Sequence, residues 1–285
     1  MLPPTIEASG TAHCLSSLSR CIGEINEGWK DRWDMQPPGL CFRGVDDEAY
    51  DLNPSLLRPP FPSAFEDLAH IENGLWVDFR LRSKPLLGYQ VQNAWQALLI
   101  MQQHGFPTRL LDWSGAIAIG VYFAVRNIEM KQDGAVWVLA GRYLMERRGT
   151  KGAWRTAVGD PRIESMALRE GPNGLEEFVA QPPVPLNPDQ LVPRMIAQRG
   201  IYTLHTFEKY ALEKLATQDR EAFGDQCFLH KIIIPAPAKA SMRAELAVVA
   251  GVSEGSLFPD LEGFAREFVW EHKRKAIGEI GPTAR

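Results

Sequence analysis

Apolar residues recur at helical spacing through much of the chain and gather into short runs elsewhere. In residues 11–30, the positions that fall on one helical face are Leu15, Leu18, Ile22 and Ile25. The same spacing predicts further helices over residues 64–82, 89–103, 115–126, 207–219 and 239–250, with a last one within 256–275. Short apolar runs predict strands over residues 40–42, 108–112, 133–141, 194–206 and 227–237.

The order of these elements favours an α+β fold. Helices come first, and strands and helices then mix irregularly instead of alternating as in a βαβ series. Residues 181–193 hold five prolines, which excludes a helix or a central strand there, and residues 145–175 are weakly patterned. We expect a helical segment over residues 1–34, packed on a single globular unit over residues 35–285.

The composition is that of an ordinary globular protein. The chain has 285 residues, of which 45% are hydrophobic and 23% charged, so a substantial core is available. The net charge of −4 gives no general attraction to nucleic acid or to anionic membranes. A local groove of arginines stays open as an expectation, and its candidate members are Arg43, Arg109, Arg194 and Arg199.

Other sequence signals favour a reduced, cytoplasmic protein that does not contact a membrane. The four cysteines show neither a C-x-x-C pair nor zinc-site spacing. The first residues show no secretory signal, and no apolar stretch reaches the ~20 residues needed to span a bilayer. The sequence contains no nucleophile elbow, Walker A loop, H-E-x-x-H motif or dinucleotide-binding G-x-G-x-x-G, and no carboxylate pair indicates a glycosidase.

Arg43 is the first candidate for chemistry, because it comes directly after an apolar strand and before Gly44. An arginine at a strand end presents a planar fork to a phosphate, and a glycine beside it lets a ligand approach the backbone. The alternative is a salt bridge from Arg43 to Asp46 or Asp47.

Residues 108–114 carry the densest group of polar positions around an apolar strand. Thr108 and Arg109 stand at its entrance, and Asp112, Trp113 and Ser114 stand at its exit. Asp112 or Ser114 is expected to cap the small-residue helix that follows. The tryptophan either stacks on a ring or packs in the core, so capping does not exclude a binding cleft.

Weaker candidates are His104, which lies in a turn and is more often structural, and Gln198, which suits a sugar hydroxyl or a backbone group equally well. Asp260 and Glu262 follow a proline and most simply begin the last helix. Composition and spacing by themselves therefore indicate an α+β protein with an anion-binding cleft.

The chain resembles the FRG domain family. The resemblance lies in five ordered blocks, "CFRGVDDEAYDLNPSLLRP", "QHGFPTRLLDWSGAIAIGVYFAV", "DGAVWVLAG", "RMIAQRGIYTLHT" and "SLFPDLEGF", which run over roughly residues 35–268. The Phe-Arg-Gly triplet that names the family is Phe42-Arg43-Gly44. Ser114-Gly115 departs from the family's commoner Thr and Ser-Pro, and Gln198-Arg199-Gly200 departs from its commoner second Gln.

More distantly, the chain is similar to ADP-ribosyltransferases of the Arg-Ser-Glu type, which implies their fold with a split, mixed β-sheet and N-terminal helices. The resemblance implies that Arg43 clamps the pyrophosphate of NAD as substrate, and that Ser114 supports the nicotinamide-ribose pocket in front of Tyr122 or Phe123. It implies no metal. The full set of NAD-binding residues expected on this basis is Phe42, Gly44, His104, Thr108, Arg109, Trp113, Ser114, Tyr122 and Phe123.

The catalytic carboxylate of that group has no obvious counterpart, because Gly200 stands where a Glu is expected. The resemblance implies Arg43, Gln198 and Asp112 as catalytic residues. The other candidates for this carboxylate, besides Asp112, are Glu72, Asp260 and Glu262.

The activity that the resemblance implies is NAD-dependent ADP-ribosyl transfer to a macromolecule, with nucleic acid slightly favoured over protein as the acceptor. A bacterial toxin or phage-defence effector with an antitoxin partner is the corresponding biological role. The alternatives are an NAD glycohydrolase and a non-enzymatic module that binds nucleotides or nucleic acid.

Overall fold

A computed structural model describes residues 4–30, 32, 39–88, 90–147 and 182–276. The strands of these residues form one seven-stranded sheet in the order β1-β7-β4-β2-β3-β6-β5. They are β1 (Gly10–Thr11), β2 (Leu40–Val45), β3 (Leu110–Ser114), β4 (Gly134–Ala140), β5 (Val184–Leu186), β6 (Gly200–Leu204) and β7 (Leu229–Ile234). The β1–β7 pair is parallel and the other pairs are antiparallel, so the sheet is mixed and the expected α+β class is confirmed.

Ten α-helical segments in the described ranges cover the sheet. They are α1 (Leu15–Lys30), α2 (Phe65–Arg82), α3 (Ala94–Gln103), α4 (Ile117–Val125), α5 (Gly141–Arg147), α6 (Pro193–Ala197), α7 (Ala211–Phe223), α8 (Lys239–Glu245), α9 (Glu254–Leu257) and α10 (Leu261–Ala276). A turn of π-helix, Leu246–Ala250, continues α8 and ends at Gly251 in the left-handed conformation. None of the helices in the described ranges is long and apolar enough to cross a membrane.

Several element boundaries differ from the sequence prediction. Strand β3 spans Leu110–Ser114 and not residues 108–112, so Ser114 ends the strand itself and Arg109 precedes it. Strand β2 continues through Gly44 to Val45, so Arg43 lies inside the strand and not at its end. Residues 194–197 belong to helix α6, and strand β6 begins only at Gly200. The proline-rich stretch contributes β5 at the edge of the sheet, where the missing N–H of Pro185 costs no hydrogen bond to a further strand. Residues 148–181 lie outside the described ranges.

Helix α4 packs flush on the central strands because glycines remove the side chains between them. A Cβ atom on Gly44 would lie 1.8 Å from the carbonyl oxygen of Gly120 and 2.6 Å from the nitrogen of Ala124. A Cβ on Gly134 would lie 2.4 Å from the oxygen of Ala124. Gly44 therefore serves helix–sheet contact, whereas we expected it to admit a ligand to the backbone.

The N-terminal helix α1 is part of the main core. Leu18, Cys21, Ile25 and Trp29 are buried in the same apolar cluster as the central strands. The indole Nε1 of Trp29 donates to the carbonyl oxygen of Cys227 at 2.8 Å, which ties α1 to the segment before β7. Helix α1 thus packs on the core, and the division into residues 1–34 and 35–285 stays a prediction.

The sheet is weakly joined between β2 and β3. These strands share one register pair, Phe42 with Ser114, whereas β2 pairs with β4 over six residue pairs and β3 pairs with β6 over five. Beyond Phe42 the two strands separate. We call this opening the β2–β3 notch. The strands of the described residues nevertheless form one continuous sheet, so the split sheet that the resemblance implied stays a prediction.

Candidate functional site

The side chains around the notch divide between the two faces of the sheet. Side chains alternate along a strand, and directly paired residues share a face. Since Phe42 pairs with Ser114, Arg43 projects from the opposite face, together with Trp113. Asp112 projects from the same face as Ser114. The single cleft expected from the sequence is therefore divided by the sheet.

Arg43 spans the notch. Its Nη1 donates to the backbone carbonyl of Asp112 at 2.8 Å, a bond that replaces a ladder contact where the strands part. The side chain is half-buried and forms no salt bridge with a described residue, so the alternative pairing with Asp46 or Asp47 does not form. Its Nε is buried and has no hydrogen-bond partner within the described ranges.

Among the described residues, the guanidinium of Arg43 is therefore a cation without a paired anion. Burial lowers its pKa to about 10, while the charge of Asp112 acts in the opposite direction. A group with this pKa is protonated at neutral pH. A partly exposed cation in a notch, with donor atoms unused, is suited to an anionic ligand.

Residues 51–58 lie beside the residues that precede β3, and we refer to them as the 51–58 loop. The loop is anchored to the start of β3, where Leu56 N donates to the carbonyl of Thr108 at 3.1 Å and Thr108 N donates to Ser55 Oγ at 3.1 Å. Within it, Arg58 Nε donates to the carbonyl of Asn53 at 2.7 Å. Arg58 was not among the residues predicted from the sequence to bind a ligand.

Glu213 on α7 anchors the other end of the loop. Its Oε1 accepts a hydrogen bond from Leu52 N at 2.6 Å, and its buried Oε2 has no partner among the described residues. Burial raises the pKa of this carboxyl group, and the charge of Asp51 acts in the same direction. Glu213 was also missed from the sequence, because its position on an amphipathic helix gives no sign that it is 2% exposed.

A buried relay of polar side chains lies on the Arg43 face. The Nε1 of Trp113 donates to Thr203 Oγ1 at 3.0 Å, and this hydroxyl lies 2.9 Å from His205 Nε2. Burial lowers the pKa of His205 to about 3, and the positive charges of Arg43 and Arg109 contribute. The Trp113 indole is thus buried and hydrogen-bonded in the core, which is one of its two expected roles.

On the opposite face, Asp112 is exposed and begins a chain of side-chain hydrogen bonds. Its Oδ2 accepts from Gln102 Nε2 at 2.8 Å. The amide oxygen of Gln102 in turn accepts from the hydroxyl of Thr108, which is buried and also accepts from Leu110 N at 3.1 Å. This series of hydrogen bonds holds the Asp112 carboxylate at the surface beside the notch, while the Thr108 side chain is buried.

Arg109 is enclosed in the core and does not line the notch. Its Nε donates to Glu72 Oε1 at 2.7 Å and its Nη1 donates to the carbonyl of His205 at 3.0 Å. The side chain is 1% exposed, and burial lowers its pKa to about 9. This ion pair joins α2 to β3 and occupies Glu72, one of the candidate carboxylates.

Ser114 and Gln198 lie next to each other, and their polar groups are engaged in hydrogen bonds within the protein. The hydroxyl of Ser114 donates to the carbonyl of Gln198 at 2.9 Å and accepts from Ala116 N at 3.1 Å. Ala116 is the N-cap residue of α4 and no side-chain hydrogen bond caps that helix, so the capping by Asp112 or Ser114 that we expected does not form. The Gln198 amide donates to the carbonyl of Leu257 at 3.2 Å. Beside them lies a cavity of about 300 Å³ that Gly115, Arg199 and Ile201 help to line.

Tyr122 and Phe123 do not face the notch. They belong to a separate cluster of side chains around Glu254. The hydroxyl of buried Tyr122 donates to the carboxylate of Glu254, which also accepts from Arg126 at 2.9 Å and from Arg266 at 2.6 Å. Phe123 packs edge-on against Tyr122, with ring centroids 5.6 Å apart. Both rings thus join α4 to the C-terminal helices.

The remaining candidates are dispersed. Asp260 accepts from Arg194 at 2.9 Å, and Glu262 lies 3.6 Å from Arg266, so these two carboxylates are paired near α10. His104 is exposed at the C-terminal end of α3. A cavity of about 1030 Å³ between α2 and α3 contains none of the predicted site residues. The described residues hold no group of three or more metal-ligating side chains.

The comparisons with known proteins identify one family. The family model of the FRG domain matches residues 39–133, about a third of the chain, which runs from β2 to the turn before β4. No curated protein and no solved structure matches the chain. The match covers the first two of the five blocks, and the resemblance beyond them stays a prediction. The chain therefore carries an FRG domain over residues 39–133.

Proposed function

We propose that this protein binds NAD at the β2–β3 notch through Arg43 and transfers the ADP-ribose group to a macromolecule. The observation that supports this proposal is the state of the Arg43 guanidinium. It is half-buried, bonded to one backbone carbonyl and without a salt bridge to any described residue. A diphosphate supplies both the charge and the acceptor atoms that such a fork takes.

The transfer breaks the bond between nicotinamide and C1 of the ribose and forms a bond from C1 to a nucleophilic atom of the acceptor. Nicotinamide leaves as a neutral molecule, and the acceptor loses one proton. The ribose passes through an oxocarbenium-like state that a carboxylate stabilises, as in glycoside cleavage. Asp112 projects from the other face of the sheet, but it lies at the point where Arg43 reaches across the notch, so a ligand has to pass through the notch to contact both. Gln102 holds the Asp112 carboxylate in place.

A non-enzymatic nucleotide-binding module is the second candidate, and a specific observation favours it. Ser114 and Gln198 are bonded to each other and to backbone groups, and Glu72 and Asp260 are in ion pairs. Among the carboxylates considered from the sequence, Asp112 is thus the one that adjoins Arg43. A site with an anion-binding arginine and little carboxylate chemistry holds a nucleotide without cleaving it.

NAD labelled in its adenylate half distinguishes these functions when it is incubated with the purified protein and a mixture of nucleic acids and proteins. Label on a macromolecule supports transfer, and its sensitivity to nuclease or protease identifies the acceptor class. Free ADP-ribose with nicotinamide indicates hydrolysis instead. Binding of unchanged NAD supports the module.

Substitution of Arg43 tests the proposed contact in the same assay. We expect Arg43→Ala to reduce NAD binding by at least tenfold, and Arg43→Lys to restore part of it, because lysine keeps the charge but not the fork. Arg82→Ala is a suitable control, since Arg82 is highly exposed on α2. NAD binding by Arg43→Ala equal to that of the wild-type protein would exclude the notch as the site.

A further inference from the structure

The cavity of about 1030 Å³ between α2 and α3 has a predominantly apolar lining. Trp76, Phe79, Leu87, Val91 and Ala97 line it and belong to one apolar cluster of the core. The volume is at about the upper end of the range for sites that bind small organic molecules. Burial against such a surface removes the apolar body of a ligand from water and thereby favours its binding.

The charged side chains in the described lining are both cationic. Arg80 and Lys84 are exposed, and the lining includes no aspartate or glutamate among the described residues. Neither cation forms a salt bridge with a described residue, whereas the neighbouring Arg82 lies 3.4 Å from Asp78. The guanidinium carbon of Arg80 lies 5.9 Å from the ring centroid of Trp76. The cavity thus places a positive charge beside an apolar surface, which is complementary to an anion with an apolar body.

Ser83 adds a hydrogen-bond donor to the same lining. The residue is 9% exposed, and its hydroxyl has no hydrogen bond with a described residue. Its backbone groups are engaged, because its N donates to the carbonyl of Phe79 at 2.9 Å and its carbonyl accepts from Leu87 N at 3.1 Å. Ser83 follows Arg80 by three positions at the end of α2, a spacing that places two side chains on one face of a helix. A buried hydroxyl without a partner is costly, so a ligand acceptor beside it would be stabilising.

The positive end of helix α3 lies at this cavity as well. Its N-cap residue Asn93 and its first residue Ala94 are part of the lining. The Asn93 side chain accepts from Gln96 N at 2.9 Å. The N–H groups that begin a helix have no partner within it and carry partial positive charge, so the end of α3 adds to the attraction that Arg80 and Lys84 exert on an anion.

We propose that this cavity binds an organic anion with an extended apolar body, of the class of medium- and long-chain carboxylates. Arg80 and Lys84 attract the carboxylate, the Ser83 hydroxyl donates to it, and the alkyl chain packs on the side of the cavity that Trp76 and Phe79 form. The inference is independent of the proposed function, because the described residues that line the cavity include none of those at the notch.

Decanoate, decyltrimethylammonium and acetate are the probes that test this inference. The first two share the alkyl chain and differ in charge, whereas acetate keeps the carboxylate without the chain. Their affinities for the wild-type protein are measured by isothermal titration calorimetry at one ionic strength, at concentrations at which each ligand is monomeric. We expect decanoate to bind with a dissociation constant of about 1 mM or lower. The other two should bind at least about tenfold more weakly, since one is repelled by the cations and the other lacks the apolar body.

Three variants assign decanoate binding to the cavity. Arg80→Glu should weaken it by about tenfold or more, because an attractive charge is replaced by a repulsive one. Ser83→Ala should weaken it by about threefold through the loss of one hydrogen bond. Arg82→Glu is the matched control, since it makes the same change of charge two residues away on a side chain outside the cavity lining, and it should stay within about threefold of the wild-type protein.

The inference is overturned if the wild-type protein does not bind decanoate, or if decanoate and decyltrimethylammonium bind equally well. Decanoate affinity that is unchanged in Arg80→Glu overturns it too, and unchanged affinity in Ser83→Ala removes the hydroxyl from the site. NAD binding by Arg80→Glu should equal that of the wild-type protein, so failure here is distinguishable from failure of the proposed function. Circular dichroism and the thermal midpoint of each variant separate a lost contact from a lost fold.

Discussion

Gly44→Ala should destabilise the protein by an amount that the packing of α4 determines. The added Cβ would lie 1.8 Å from the oxygen of Gly120 and 2.6 Å from the nitrogen of Ala124. Both atoms belong to the backbone of a helix, so no side-chain rotation relieves the overlap. Helix α4 would have to move away from β2 by about 1 Å or more to restore normal contact distances.

The expected cost is about 3 kcal/mol in the free energy of unfolding, the upper end of the range for overpacked cores. Urea-induced unfolding followed by tryptophan fluorescence measures it. Gly74→Ala is the matched control, because no atom lies within 4 Å of the added Cβ in the middle of α2. It should stabilise the protein by up to about 1 kcal/mol, since alanine favours the helix.

A free energy of unfolding for Gly44→Ala within about 0.5 kcal/mol of the wild-type value would contradict the close packing of α4 on Gly44. That difference is the range of ordinary surface changes. A variant of normal stability that no longer bound NAD or pyrophosphate would show instead that the glycine admits a ligand. That result would return Gly44 to the role expected from the sequence.

Three further predictions concern the core. Arg109→Met, which removes the cation bonded to Glu72, should cost about 3 kcal/mol in urea unfolding, and the double variant with Glu72→Leu should recover most of that loss. Tyr122→Phe removes the donor to Glu254 and should cost about 1–2 kcal/mol; an unchanged midpoint would contradict the contact. His205, whose pKa burial lowers to about 3, stays neutral in the folded state and is protonated on unfolding below about pH 6.5. His205 should therefore lower the free energy of unfolding by about 1.4 kcal/mol for each pH unit as the pH drops from 6.5 towards 3. Thermal melts at pH 7 and pH 5 measure this dependence, and it should be weaker in His205→Gln.

Most helices and strands, and the α+β class, could be predicted from the sequence alone. Helical periodicity correctly predicted α1, α2 and α7, and the apolar runs predicted β4 and β7, because those signals depend on local spacing alone. The Pro-rich stretch was correctly excluded from the centre of the sheet. The capping of α4 by Asp112 or Ser114 was wrongly predicted, because the helix begins only at Ile117 and Ala116 is its N-cap residue.

Which polar side chains lie close together depends on the tertiary structure and could not be predicted from the sequence. The register of β2 against β3 places Phe42 opposite Ser114, and this one pairing sends Arg43 to the other face of the sheet from Ser114. Long-range contacts enclosed Arg109 with Glu72. Local periodicity cannot carry this information, because a shift of one residue in strand register exchanges the faces without changing any local preference.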